Sequence, residues 1–276
     1  MKKTAVINDI SGFGKCSMTA AIPVISVMGI QACPLPTAVL SNQTGYPEYF
    51  CDDFSDRMED YIAMWRKLGL SFDSILTGYI ANEKQIEIIN GFCKEFKKKN
   101  TLLVVDPVMA DNGSVYATHS KKLCDGVKSL AMQADIITPN LTEFCVLTGC
   151  DYKEAEKNAY KESMKDFLQR NAKNLIDGGI KHIVVTSVPY IEGKISNCII
   201  DKDGIRTVSS QDFGGSYSGT GDLFSAAVCA GVTKGEDIFD AVSKAVRFLE
   251  CSVKATVMEG TNPNDGICFE PFLKLL

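Results

Sequence analysis

The chain has 276 residues, 45% of them hydrophobic and 23% charged, the balance of a soluble globular protein with enough length for one large core. Its formal net charge of −5 excludes a broad basic footprint for nucleic acid or an anionic membrane. No apolar run reaches the roughly 18 residues of a membrane span. The eleven cysteines are scattered without a Cys-x-x-Cys pair, and only two histidines accompany them, so zinc is not indicated. With no signal peptide in view, reduced thiols and a cytoplasmic location are expected.

In chain order, Thr4 to Asp9 is β-branched and predicts a buried first strand. It ends at Ser11-Gly-Phe-Gly14, and Lys15 to Gly29 reads as helix. Strand, glycine turn and helix invite a nucleotide-loop assignment. However, a Walker A loop needs glycine where Asp9 stands, and a dinucleotide fingerprint needs a third glycine at Ser17. The loop is better read as presenting Asp9 and Ser11 to a small molecule at a strand's carboxyl end, with plain turn chemistry as the alternative. Gln31 to Leu40 is a second strand, which Pro34 and Pro36 bend or place at an edge. Ser41 to Tyr46 is a polar turn that could be a connection or a ligand loop. Asp53 to Leu68 predicts a helix burying Met58, Tyr61, Ile62, Trp65 and Leu68.

A strand over Phe72 to Leu76 leads to Thr77-Gly78-Tyr79. The helix expected over Glu83 to Lys99 carries three lysines at its C-terminal end, where they relieve the dipole. Thr101 to Val105 is an apolar strand closing on Asp106-Pro107-Val108-Met109, and a carboxylate there suits metal or phosphate chemistry. After a turn at Asp111 to Ser114 come a helix over Ser120 to Leu130 and a strand over Ala134 to Ile137. The latter ends at Thr138-Pro-Asn-Leu-Thr-Glu143, where Glu143 also has the spacing of a capping box with Asn140. Residues 154–177 read as one helix, Lys181 to Thr186 as a strand before Ser187, and 191–200 with 205–209 as a hairpin turned at Asp203-Gly204.

The stretch Gly214-Gly-Ser-Tyr-Ser-Gly-Thr-Gly-Asp222 runs into a helix expected over Leu223 to Gly231, with a long last helix over Ile238 to Val257. Glycines there let backbone approach a ligand, a helix N-terminus favours phosphate, and Asp222 at the junction is placed to act as a base. The same string would also serve as a simple helix cap. Alternating strands and helices predict a largely parallel sheet covered on both faces. If so, Asp9, Thr44, Tyr79, Asp106, Thr138, Glu143, Thr186 and Asp222 share one rim.

Five stretches together resemble the ribokinase-like superfamily of small-molecule kinases, most closely its pyridoxal kinase branch. They are Ser41-Asn-Gln-Thr-Gly-Tyr46, Leu76-Thr-Gly-Tyr79, Asp106-Pro-Val-Met109, Ile137-Thr-Pro-Asn140 with Glu143, and Gly219-Thr-Gly-Asp-Leu-Phe224. The resemblance implies a three-layer α/β sandwich forming one domain over residues 1–276. It also implies no inserted β lid near residues 10–40, a homodimer, and ATP-dependent phosphorylation of the 5′-hydroxymethyl group of a vitamin B6 vitamer. Asp222 would be the base, with the amides of Gly219, Thr220 and Gly221 steadying the transferring phosphoryl. Asp106 and Glu143 would hold Mg2+. Thr138 and Tyr116 would add a monovalent K+ or Na+ site, Thr186 and Ser187 would meet ATP phosphates, and Thr44 and Tyr79 the pyridine ring.

Three departures bear on the acceptor. Asp9-Ile10 replaces the branch's usual Ser-His, Gln43 replaces its usual His, and Ser218 replaces its usual Val. Asp9-Ile-Ser-Gly-Phe-Gly14 instead resembles the loop of hydroxymethylpyrimidine kinases. A hydroxymethylpyrimidine kinase, or another kinase of this fold, is therefore the alternative. A non-catalytic metabolite sensor is a more distant one, since a sensor has no use for the base.

Overall fold

The computed structural model describes all residues from Met1 to Leu276. Its elements, in chain order, are β1 (Lys3–Ser11), α1 (Ser17–Val27), β2 (Gln31–Leu40), β3 (Cys51–Asp53), α2 (Ser55–Lys67), β4 (Ser74–Thr77), α3 (Glu83–Phe96) and β5 (Leu102–Val105). A two-residue hairpin, β6 (Ala110–Asp111) and β7 (Ser114–Val115), precedes α4 (Lys121–Ala131), β8 (Ile136–Ile137), α5 (Leu141–Thr148), α6 (Tyr152–Lys157) and α7 (Ser163–Asp177). The chain closes with β9 (His182–Val188), β10 (Lys194–Asp201), β11 (Gly204–Gln211), α8 (Thr220–Lys234), α9 (Ile238–Glu259) and two short 3-10 turns.

Nine strands form one sheet in the order β11-β10-β9-β8-β5-β4-β1-β2-β3. The six from β9 to β2 run parallel, and the antiparallel members stand at the two ends. Because side chains alternate across a strand, each parallel strand feeds two cores. Ala5, Ile7, Ile75, Leu103, Val105, Ile137 and Ile183 point toward α2, α3, α4, α5 and α7. Val6, Leu76, Val104, Ile136 and Val184 point toward α1, α8 and α9. This is the expected three-layer sandwich. Residues 12–40 contain only α1 and β2, with no lid hairpin. No helix is long and apolar enough to cross a membrane.

Pro34 and Pro36 sit in β2 against β1, and β3 pairs only with Ala38 to Leu40. At the prolines β2 is therefore the free edge, where a missing N–H costs nothing. Trp65 packs as expected, 5.2 Å from both Tyr61 and Phe72, beside the stacked pair Phe92 and Phe96.

Several expected boundaries move. The helix expected over 154–177 is two helices, broken where Tyr160 adopts φ 56° and its amide donates to the Pro189 carbonyl. Leu68 is not core: at the end of α2 it is 68% exposed, and Leu70 packs instead. The short edge strand β3 falls between the turn read at Ser41 to Tyr46 and the helix read from Asp53, where no element was expected, and α8 begins three residues earlier than Leu223, at Thr220.

Candidate active site

The chain crosses from β2 on one side of β1 to β4 on the other, so β1 marks a topological switch point, where open α/β sheets bind ligands beyond their carboxyl ends. The carboxyl ends of β1, β4, β5, β8 and β9 share one rim, because these strands are mutually parallel. Asp9, Tyr79, Asp106, Thr138 and Thr186 lie along it.

The loop before α8 closes over this rim. Gly219 caps α8 at φ 81°, and a Cβ there would stand 2.0 Å from the Lys15 carbonyl oxygen, so only glycine fits. With the helix starting at Thr220, the first-turn amides of Thr220 and Gly221 have no partner within the helix and carry the positive end of the dipole. The Thr220 hydroxyl donates to the Tyr217 carbonyl, 3.1 Å away, so the side chain itself is tied down. Lys15 and Ser17 hold φ near 50° beside this loop, a conformation that costs non-glycine residues energy and recurs at functional sites.

Asp222 lies in the first turn of α8, partly accessible, and its Oδ1 accepts 2.9 Å from Asn8 Nδ2. Burial pushes its carboxyl up to about 6, while the Ser17 amide and the Asn8 carboxamide pull the other way. Asp106 follows β5. Burial and the charge of Asp222 raise it to about 7, and its Oδ2 accepts 2.8 Å from Ser225 Oγ. Ser225 in turn lies 3.0 Å from Thr138 Oγ1. Glu143 is buried, and burial together with the charge of Asp106 raises its carboxyl well above the ordinary range. Its oxygens accept from the Met109 amide (3.1 Å) and the Asn140 amide (2.9 Å), so the capping box with Asn140 is present as well. Tyr116, 38% exposed, has its hydroxyl pushed upward by burial and by the nearby carboxylates Glu143, Asp111 and Asp106.

None of Asp9, Asp106, Glu143 and Asp222 pairs with a lysine or arginine. No three carboxylate, histidine or cysteine side chains gather at one point, but the neighbouring pair Asp106 and Glu143 offers oxygen donors of the kind a hard divalent cation takes when water and phosphate complete its shell.

On the β1 side, Asp9 Oδ2 accepts from Ser11 Oγ at 2.8 Å, both residues being buried. Tyr79 is half-buried, its ring 6.0 Å edge-on from His119. Thr44 is exposed on the loop beyond β2. Gln43 spends its carboxamide within the protein: Oε1 accepts from the Gly45 amide and Nε2 donates to the Asn264 carbonyl. At β9 the Thr186 amide donates to Pro139, while Ser187 is exposed at φ 54° where the β9–β10 register shifts.

Sequence reasoning missed three features. Asn8 lies inside a strand-like run. Ser225 was legible only as the residue one turn beyond Asp222. Asn262 to Gly266 clasps the 41–46 loop through Asn264 Nδ2 to the Gly45 carbonyl and through Tyr46 to Asp265, and takes the Ser218 amide on Pro263.

Residues 14–266 match the family model described as phosphomethylpyrimidine kinase. The chain belongs to that kinase family. It is a small-molecule kinase of ribokinase-like fold, and its relatives include named pyridoxal kinases. A Bacteroides thetaiotaomicron protein provisionally described as a phosphomethylpyrimidine kinase, solved with pyridoxal, is 35% identical. That match covers 99% of this chain and 94% of the other, with a TM-score of 0.91. Pyridoxal kinase from Lactobacillus plantarum is 26% identical, covering 99% and 96%, with a TM-score of 0.88. The pyridoxine/pyridoxal/pyridoxamine kinase of Bordetella avium is 25% identical over 256 residues, 88% of this chain and 82% of its own.

Proposed function

We propose that this kinase transfers the γ-phosphoryl of ATP to the 5′-hydroxymethyl group of a vitamin B6 vitamer. One observation carries the chemistry: Asp222 stands in the first turn of α8, bonded to Asn8 at the switch point, with the free amides of Thr220 and Gly221 beside it. In the reaction, Asp222 takes the proton of the acceptor hydroxyl. The freed oxygen forms its bond to the γ-phosphorus as the bond to the β–γ bridging oxygen breaks, and ADP leaves. The amides of Gly219, Thr220 and Gly221 stabilise the charge that gathers on the phosphoryl oxygens.

Asp106 and Glu143, which pair with no lysine or arginine, would hold Mg2+, in part through water, and the ion would neutralise phosphate charge. Thr138 and Tyr116 stand by the same carboxylates and suit a K+ or Na+ site. Thr186 and Ser187 are assigned to the ATP phosphates. Asp9, Ser11, Thr44 and Tyr79 are assigned to the ring, with Gln43 shaping that site through the loop it braces.

The vitamer reading draws on the Bacteroides relative solved with pyridoxal and on the named pyridoxal kinases. The family description and the Asp9-Ile-Ser-Gly-Phe-Gly14 loop favour a second reading, a hydroxymethylpyrimidine kinase. Purified protein with Mg-ATP, assayed against pyridoxal, pyridoxamine, pyridoxine and hydroxymethylpyrimidine, separates them. The vitamers should give the higher kcat/KM, and turnover of the pyrimidine alone would replace the first reading with the second.

We further read the protein as one domain over residues 1–276 and as a cytoplasmic homodimer. The continuous nine-stranded sheet supports the first point and eleven free cysteines the location. Exposed Val39, Tyr49 and Phe50 near the β2–β3 edge support association, which light scattering would measure.

A further inference from the structure

Asn8 has no part in the steps above, yet all of its side-chain bonds lead to the site. It is 5% exposed and lies where the β1–β2 register shifts, between Asn8 and Ile10. Its Oδ1 accepts from two backbone amides, Asp9 at 2.9 Å and Tyr79 at 2.8 Å. Two N–H groups aimed at one end of a carboxamide fix that end as the oxygen, so the NH2 must face Asp222 Oδ1, 2.9 Å away. The orientation of the amide is therefore set by the backbone and does not depend on Asp222. The β4 side is built to admit it: a Cβ on Gly78 would fall 2.4 Å from Asn8 Nδ2.

We propose that Asn8 is the positioning residue of the phosphoryl-transfer site, holding Asp222 Oδ1 so that Oδ2 faces the acceptor hydroxyl and tying that base to the Asp9 and Tyr79 backbone that frames the ring. This rests on the reading of Asp222 as the base. The arrangement has a specific consequence. A hydroxyl donor must be met by one carboxylate oxygen at one angle, and a carboxylate free to rotate about its bonds would lose that alignment. Misplacement by about 1 Å is enough to cost on the order of a hundredfold in rate. Asn8 supplies a fixed point on Oδ1, beside the Ser17 amide that also reaches the carboxylate, and so restricts the rotation. Since the same carboxamide takes the Tyr79 amide, a shift of the ring-binding backbone moves the base with it.

A double-mutant cycle in the full-length protein tests this, with Mg-ATP and pyridoxal as substrates and kcat as the readout. Asn8→Ala should lower kcat roughly 10- to 100-fold in the wild-type background. In the Asp222→Asn background it should change the residual rate less than about twofold, because the group it positions is already gone. A purely structural role predicts the same factor in both backgrounds, and that result overturns the proposal. Asn8→Asp is the second variant. It keeps the shape and the oxygen that takes the Asp9 and Tyr79 amides, but turns a carboxylate toward Asp222. It should lose at least about tenfold in kcat while the Kd for pyridoxal stays within about threefold. A kcat within threefold of wild type in a folded Asn8→Asp protein, with Asp222→Asn inactive, overturns this inference alone. Full activity in Asp222→Asn overturns the base assignment and this inference together.

Discussion

Gly219→Ala isolates the geometry on which phosphoryl transfer is argued to depend. The residue sits at φ 81°, where an L side chain costs about 1–2 kcal/mol. The added methyl would also lie 2.0 Å from the Lys15 carbonyl oxygen, against 3.4 Å for ordinary contact, so the loop or its neighbour must move by about 1.4 Å. Overpacking against backbone adds about 1–3 kcal/mol, giving a total loss of roughly 2–5 kcal/mol and a fall in Tm of roughly 4–20 °C. A displacement of that size takes the α8 amides out of register with the phosphoryl, so kcat should fall about 100- to 1000-fold. Gly260→Ala is the control: φ is 68°, but nothing lies within 4 Å of the new methyl. It should cost about 1–2 kcal/mol of stability and leave kcat unchanged. Coupled ADP-release kinetics and thermal melts on both variants decide the matter. Gly219→Ala with kcat within threefold of wild type, or Gly260→Ala with an equal loss, would refute the reasoning.

Three further outcomes are expected from the same structure. Asp9→Ser should lower the pyridoxamine-to-pyridoxal ratio of kcat/KM about tenfold, since an acidic Asp9 favours the amine through a charge-assisted bond; an unchanged ratio removes that role. The acid limb of kcat/KM should lie at or below about pH 6, because burial raises Asp222 to about 6 and the base works only when ionised; a limb above pH 8 would contradict this. Asp135 is pushed up by burial, but the Leu103 amide, Lys181 and Lys97 outweigh that and hold it below its ordinary value. A depressed carboxyl contributes stability above the unfolded pKa of about 3.9 and loses it as pH falls through the native value. Asp135→Asn should therefore cost about 1–3 kcal/mol at pH 7, with the gap to wild type closing below about pH 4; a gap constant with pH would count against the ion pairs.

The rim was legible in the sequence because parallel strands announce themselves as short apolar runs, and the residues just past each run stand where a ligand can reach them. Asp106 and Thr138 fall where that logic puts them, whereas Asp222, in the first turn of α8, was signalled by the glycine-punctuated helix start instead. Glu143 is at once a helix cap and a rim carboxylate, so its two sequence readings were never exclusive. Asn8 was hidden for a physical reason: within Val6-Ile7-Asn8 nothing local separates a functional amide from a strand residue, and only the meeting of β1, β4 and α8 gives it partners. Asn262 to Gly266 escaped for a similar reason, as its bonds reach loops more than 200 residues away. The three-residue strand β3 is exposed throughout and so shows no alternation to read. Gln43 places its carboxamide between the Gly45 amide and the Asn264 carbonyl, and the second partner, 221 residues away, is not visible in the local sequence.

The most direct test is the rate of phosphoryl transfer from Mg-ATP to pyridoxal by Asp222→Asn beside the wild-type protein, with nucleotide binding measured on both. The asparagine keeps the shape and removes the proton acceptor, so kcat should fall at least about 100-fold while ATP affinity stays within a few-fold. Wild-type kcat in Asp222→Asn would contradict the assignment of this loop and carboxylate as the phosphoryl-transfer centre.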